Sequence, residues 1–226
     1  MYVTLPSATN EVFQQPVSMM FKSSLSPART TRRLPTGAYV FREGDYASHI
    51  YEVQSGILRL TRVLENGRRQ VIAFALPGDI VGFPNGDLHH TDCDVIGACE
   101  VVLHRREALE NGEGSPETHR RLLMAAVREI SAMQDHFMML ARKSALEKVA
   151  SFLLVLSSRI GTKQGNISMI ELQMKRADIA DFLGLTIETV SRTFTQLRTA
   201  GVISLLSANS IIVLDGQALA DASEAA

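Results

Sequence analysis

The sequence predicts an α+β chain built from an antiparallel β-roll, one long helix and a winged helix-turn-helix. Three observations carry that expectation. Between residues 34 and 105, short apolar runs recur at intervals of roughly 8–12 residues, the rhythm of a sandwich or roll. From Leu123 to Leu140, apolar side chains are spaced 3, 4, 3, 4 and 3 residues apart, which is a heptad seam. Residues 176–201, RADIADFLGLTIETVSRTFTQLRTAG, hold two short amphipathic stretches joined at Gly184.

Bulk properties narrow the function classes. A chain of 226 residues is long enough for two small domains, and 46% hydrophobic with 21% charged residues is ordinary globular composition. No apolar run reaches the ~18 residues of a membrane span. The N-terminal stretch lacks a basic region followed by an apolar core, so a cytoplasmic protein with no membrane partner is expected. Cys93 and Cys99 are too few for a disulfide framework or a four-thiolate metal site. The net charge of −1 is unevenly spread. Residues 142–200 carry nine Lys/Arg against five Asp/Glu, which points to an anionic partner for that part alone.

The elements follow in order. Residues 1–30, rich in Ser, Thr, Pro and Gln, are expected to form a flexible arm with one short helix near Val12–Phe21. Residues 31–112 form the roll. Turn signals at Pro35-Thr36-Gly37 and Glu43-Gly44-Asp45 bracket a short strand, and IYEVQSG, ILRLTRVL and RQVIAFAL follow. The last two runs flank Asn66-Gly67, a hairpin signal because both residues tolerate positive φ. After Pro77-Gly78-Asp79, DVIGACEVVLH reads as a strand pair or one long bent strand. Residues 113–142 are the long helix, with Ser115 as a cap and Pro116 in its first turn. Such a helix spans roughly 39 Å at 1.5 Å per residue. Its seam of Leu123, Ala126, Ile130, Met133, Phe137 and Leu140 is long enough to pair with a second copy, so a two-fold homodimer is expected. Residues 143–217 make the winged module: an apolar helix at 145–160, a short strand at SMIELQM, the two short helices, and a hairpin at 202–214. The tail, 218–226, is expected to fray.

Within that module Ile179, Ala180 and Leu183 bury the first helix, Gly184 suits the positive φ that ends it, and Thr186 caps the second. Val190, Phe194 and Leu197 bury the second helix, which leaves Glu188, Thr189, Ser191 and Arg192 outward near its start. A recognition helix reads base edges from that end while its predecessor crosses the backbone. An arginine can clamp the O6 and N7 of guanine, and a carboxylate can accept from the N4 amine of cytosine. Glu188 and Arg192, four residues apart, are expected to pair and so fix each other's rotamers. Lys175, Arg176, Thr186 and Thr189 are placed for phosphate.

These residues resemble the Crp/Fnr transcription regulators. The likeness covers about residues 30–217. It rests on G-x-x-x-F-x-E-G-D at 37–45, S-G-x-x-R-L at 55–60, P-G-D-I-V-G-F at 77–83, the long helix, and D-I-A-D-F-L-G-L-T-I-E-T-V-S-R-T-F at 178–194. E-T-V-S-R is similar to the Fnr and FixK branches rather than to the cyclic-AMP receptor. The resemblance implies a cyclic-nucleotide-binding-like roll and a homodimer on double-stranded DNA. Glu188, Ser191 and Arg192 would read a TTG…CAA palindrome, and Ile187 would touch a thymine methyl. It also implies an activator of oxygen-limitation genes that recruits RNA polymerase and is not an enzyme.

The sensor half departs from the cyclic-nucleotide receptors. After PGDIVGF the chain reads PNGDLHHTDCDVIG, with no arginine to neutralise a cyclic phosphate and with Asp87, Asp92 and Asp94 to repel one. The arm holds no cysteine for an iron–sulfur cluster. FixK-type regulators share these absences, so no cofactor and no bound metal are expected. Cys99 reads as a small core residue. Cys93 lies near His89 and His90 in a polar stretch, where a redox or metal role is conceivable. His49, His104, His119 and His136 are scattered, with solvated or capping roles expected. Two alternatives remain at this point: the same scaffold as a sensor gated by haem, a metabolite or a cyclic nucleotide, and a cupin-like metal enzyme with an accessory helical domain.

Overall fold

The computed structural model describes residues 30–84, 86–113, 115–165 and 167–224. The expected arm, with its helix near Val12–Phe21, lies outside the described residues apart from Thr30, which begins the first strand.

The first six strands are β1 (Thr30–Leu34), β2 (Tyr39–Phe41), β3 (His49–Val63), β4 (Arg69–Ala75), β5 (Ile80–Val81) and β6 (Asp92–Arg105). They form one antiparallel sheet in the order β1-β6-β3-β4, with β2 on β6 and β5 on β3. The runs IYEVQSG and ILRLTRVL are one continuous strand. It bends at Gly56, whose φ of +79° and close approach to Ala98, where an added Cβ would lie 2.4 Å from the carbonyl oxygen, admit no larger residue. The β3–β4 hairpin turns at Asn66-Gly67 as expected, with Gly67 at φ +77° and its N–H donating to the Leu64 carbonyl. DVIGACEVVLH lies within the single long strand β6. The roll interior is filled by Phe41, Tyr51, Leu58, Cys93, Val95 and Val101.

Two helices follow, α1 (Arg106–Glu110) and α2 (Pro116–Arg142). Ser115 caps α2, its hydroxyl accepting from the Thr118 N–H at 3.1 Å. The helix has two apolar faces. Leu122, Ala125, Ala132, His136 and Met139 face the body of the chain and are buried. Leu123, Ile130, Met133 and Phe137 of the expected seam are exposed, Ile130 by 58% and Phe137 by 69%. Ala126 and Leu140 are half-buried, and Val127 joins the outer stripe instead. Leu140 turns inward beside Gly184.

Only Lys143 and Ser144 separate α2 from α3 (Ala145–Ile160). A capping box holds that corner: Ser144 N–H donates to the Glu147 carboxylate at 2.6 Å and Glu147 N–H to the Ser144 hydroxyl at 3.4 Å. The rest comprises β7 (Thr162–Gln164), β8 (Ile167–Glu171), α4 (Arg176–Leu183), α5 (Ile187–Thr199), β9 (Ile203–Leu205), β10 (Ser210–Val213) and α6 (Gly216–Glu224). The wing is a four-stranded sheet in the order β7-β8-β10-β9. The tail departs from expectation. Its residues are helical as far as Glu224, with Leu219 and Ser223 fully buried. Lys143 Nζ donates to the Ser223 carbonyl at 2.7 Å and to the Ser151 hydroxyl at 2.8 Å, so this helix is tied to the α2–α3 corner.

Roll and winged module share one core. Ile57, Val71, Phe74 and Leu76 of the roll pack with Phe152, Leu156, Ile179, Phe182 and Val190 of the module. Asp79 of the P-G-D turn accepts from the Leu76 N–H at 2.9 Å and from Arg159 of α3 at 2.8 Å, which makes that motif a structural joint.

Candidate nucleic-acid interface

The two helices of the reading head form as their residues dictate. Helix α4 ends at Gly184, which adopts φ +63°, ψ +39°, the left-handed conformation that costs glycine nothing. Thr186 begins α5, its hydroxyl accepting from the Thr189 N–H at 3.1 Å. Val190, Thr193, Phe194 and Leu197 turn inward against Ile179, Ala180 and Leu183. Ile187, Glu188, Ser191 and Arg192 are all exposed on the outer face. Thr195, one turn beyond Ser191 and donating to its carbonyl at 3.1 Å, is exposed as well. Sequence reasoning stopped short of it, although the same spacing of four points there.

The expected Glu188–Arg192 ion pair does not form: it is absent from the ion pairs within 4.0 Å among the described residues. Glu188 instead turns back on the start of its own helix. Its own backbone N–H and the Thr186 side chain hold its carboxyl below the usual carboxylate range, and the Arg192 charge contributes less. Free N–H groups and the positive end of the helix dipole compete there for a carboxylate, and they win over a neighbour one turn away. Arg192 is left with its guanidinium donors open to a ligand.

The phosphate set divides. Lys175 and Thr186 are exposed, and Thr189 is half-buried with its hydroxyl 3.0 Å from that of Thr186. Arg176 is half-buried, its guanidinium 3.7 Å above the Phe194 ring and donating to the Ala208 carbonyl of the wing turn at 3.3 Å. Burial lowers its pKa. It therefore also joins the first helix to the second and to the wing.

In the sensor half, Cys93 sits inside the roll on β6 and not in a polar loop. Burial pushes its thiol up, and Cys99 is pushed up to about 11 by the same cause, so neither presents the thiolate that redox chemistry uses. His89 is also buried, stacked on Phe41 at 3.8 Å, and burial lowers its pKa and keeps it neutral. The scattered histidines are less solvated than expected. His104 is buried against Glu52 at 2.9 Å, and His136 is buried against Phe182. Among the described residues, no three His, Cys, Asp or Glu side chains gather as a metal site.

Comparison with known proteins decides the family. Residues 31–111 match the cyclic nucleotide-binding domain and residues 147–222 the Crp-like helix-turn-helix domain. The nitrogen fixation regulation protein FixK of Azorhizobium caulinodans is 37% identical over 222 residues, covering 95% of this chain and 90% of the relative. FixK of Bradyrhizobium diazoefficiens is 43% identical over 172 residues, covering 76% and 73%. The chain belongs to the Crp/Fnr family. The solved structure of FixK2 from Bradyrhizobium japonicum superposes with a TM-score of 0.78 at 35% identity, covering 88% of this chain and all of the other. As a Crp/Fnr member of FixK type it is a helix-turn-helix DNA-binding transcription regulator. No helix among the described residues is long and apolar enough to cross a membrane.

The cyclic nucleotide suggested by the name of the first domain does not fit the residues that would hold it. Residues 82–94 contain no lysine or arginine. Asp87 points to Arg106 at 3.0 Å, Asp94 is engaged by Arg59, and the one buried histidine of the segment is neutral. A cyclic phosphate would meet carboxylates there, and the two guanidinium groups that reach the segment, Arg59 and Arg106, are already paired with them.

Proposed function

We propose that this FixK-type regulator is a cytoplasmic homodimer, not an enzyme, that reads a TTG…CAA-type palindrome and activates oxygen-limitation genes by recruiting RNA polymerase. The observation that carries this reading is the pairing of two exposed surfaces. One is the polar face of α5, where Ile187, Glu188, Ser191 and Arg192 stand free of the body. The other is the apolar outer stripe of α2, where Leu123, Val127, Ile130, Met133 and Phe137 lie bare along one helix. A contiguous stripe of that kind on a surface helix matches a second copy of itself. Pairing two copies there gives two reading helices related by a two-fold axis, the symmetry of a palindrome.

Within each half-site, Arg192 clamps guanine, Glu188 accepts from cytosine, Ser191 takes a neighbouring base and Ile187 meets a thymine methyl. Lys175, Arg176, Thr186 and Thr189 hold the phosphates that set register. The filled roll interior and the missing phosphate anchor support binding without a cyclic nucleotide or an iron–sulfur cluster.

Selection of bound sites from random duplex DNA by the purified protein, with nothing added, tests the whole reading. The expected outcome is enrichment of a two-fold sequence with half-site centres about one helical turn apart. Enrichment of nothing, or only after a small molecule is supplied, overturns it. Phe137→Glu places a charge on the stripe and should yield a monomer that no longer retains the palindrome.

A further inference from the structure

The reading head is fixed to the roll at two points on one face of α4. Asp178 and Phe182 are four residues apart and so lie one turn above the other. Across the sheet, Arg59 on β3 is in register with Phe74 on β4 and with Asp94 on β6, which sends all three side chains to the same face. The two faces meet residue for residue. Phe74 packs edge-on against Phe182 with ring centroids 5.2 Å apart. Arg59 donates to Asp178 at 2.6 Å while its other donors grip Asp94 at 2.7 and 3.1 Å.

A second arginine closes the site. Arg69, at the start of β4, donates to the same Asp178 oxygen at 2.6 Å and lies 3.7 Å from Asp181. Its neighbour Gln70 donates to the Asp181 main-chain carbonyl. The Asp178 side chain is only 4% exposed, and the Lys175 N–H also reaches it, at 3.3 Å. Burial works against the Arg59 charge, but the hydrogen bonds and charges of Asp94 and Asp178 outweigh it and its pKa is raised. Three carboxylates, Asp94, Asp178 and Asp181, and two guanidinium groups therefore cluster where roll meets head, with Asp178 at the centre.

Buried ion pairs of this kind add little net stability over a well-packed apolar contact, and their best-attested use is to specify one geometry. An apolar contact such as Phe74 on Phe182 tolerates sliding; two guanidinium groups converging on one buried carboxylate oxygen, one of them itself locked by a fork on Asp94, do not. Helix α5 is packed on α4 through Val190 and Phe194, so whatever sets the rotation of α4 also sets the aim of α5. We infer that Asp178, held by Arg59 and Arg69, is the positioning residue that sets the angle of the reading helix on the roll, and thereby the separation of the two reading helices in the dimer. The inference rests on the dimeric palindrome-reading function proposed above. The outer face of α5 stays exposed with the clamp closed, so closure of the clamp does not cover the reading face.

The test compares Asp178→Asn and Arg69→Gln with the unaltered protein on three duplexes: the selected palindrome, the same palindrome with one base pair inserted between half-sites, and an isolated half-site. Both variants should lose about tenfold on the palindrome, a size typical of residues coupled through one ion-pair network. Both should keep half-site affinity and discriminate less against the lengthened palindrome. Equal loss on half-site and palindrome would mean that the residues merely hold the head folded, and unchanged palindrome affinity with unchanged spacing preference would mean that the clamp positions nothing; either result overturns the inference. Arg69 is two-fifths exposed, so Arg69→Gln carries the test if Asp178→Asn does not fold. An unaltered protein that treats the palindrome as random DNA would instead remove the function on which the inference stands.

Discussion

The two helices of the reading head use the same residue types for opposite purposes. Helix α4 carries Asp178 and Asp181, and α5 carries Glu188 and Arg192. The two aspartates of α4 are turned toward the roll, where Asp178 collects two guanidinium groups and Phe182 meets Phe74 and His136. The charges of α5 are turned to solvent, and its carboxylate and guanidinium do not even pair with each other. Buried charges must be matched within the protein because desolvation penalises any that are not. Exposed charges can stay unmatched and remain available to a ligand. The aspartates of α4 are therefore committed to structure, while the charges of α5 are left free for the recognition proposed above, with only Gly184, Leu185 and Thr186 between the two helices.

Substitutions can break this contrast. The largest expected effect is on the committed side. Phe182 is 1% exposed and touches Phe74, Phe152 and His136, so Phe182→Ala should cost about 3–5 kcal/mol in chemical denaturation. A loss below 1 kcal/mol would mean that α4 is not seated on the roll.

Next comes pH. His136 is stacked on Phe182 at 4.3 Å, and burial lowers its pKa from 6.5 to about 4 even though a hydrogen bond to the Phe182 main chain opposes the shift. The unfolded imidazole takes its proton near pH 6.5 and the folded one only near pH 4, so the unfolded state binds the proton first as pH falls. Stability from this site is complete above about pH 6.5 and drains away toward pH 4, by roughly 2–3 kcal/mol. Thermal melts at several pH values should show that loss, and His136→Phe should flatten it.

On the recognition side, Arg192→Ala should leave the melting curve in place and weaken palindrome binding by about 1–3 kcal/mol, relaxing the guanine position. Equal loss on random DNA would reassign Arg192 to phosphate. Lys175→Ala should do what Arg192→Ala does not, weakening all sequences alike and lowering the salt slope by about 1. The smallest effect sits between the helices, where Thr186→Ala removes a cap worth about 1 kcal/mol of stability. Loss of DNA binding without that stability change would make Thr186 a phosphate contact more than a cap.

Much of this contrast was legible along the chain, because its signals are local. Gly184 with Thr186 two residues on marks the joint of a helix-turn-helix through backbone conformation and capping chemistry. The spacing of Glu188, Ser191 and Arg192 marks an outer face through helical period alone. Where the local signals were misread, a third group had intervened. Glu188 found its own backbone N–H and the Thr186 side chain ahead of Arg192, and Leu140 found the Gly184 turn in place of the outer stripe. The closing helix α6 was missed because its polar, alanine-rich sequence shows no strong stripe, and the Lys143 ammonium that holds its Ser223 carbonyl lies 80 residues away.

By itself the sequence determined the order of roll, long helix and winged head, the caps and turns that bound them, and the outer face of α5, since each depends on residues within a turn or a hairpin of one another. The tertiary structure alone decided which charges are spent inside. Arg59 and Asp178 are separated by 119 residues and Arg69 and Asp178 by 109, and no periodicity in a linear chain records that they meet. Burial is a property of the assembled surfaces. It is burial that turns one aspartate into a joint and leaves a glutamate ten residues later free to face a partner.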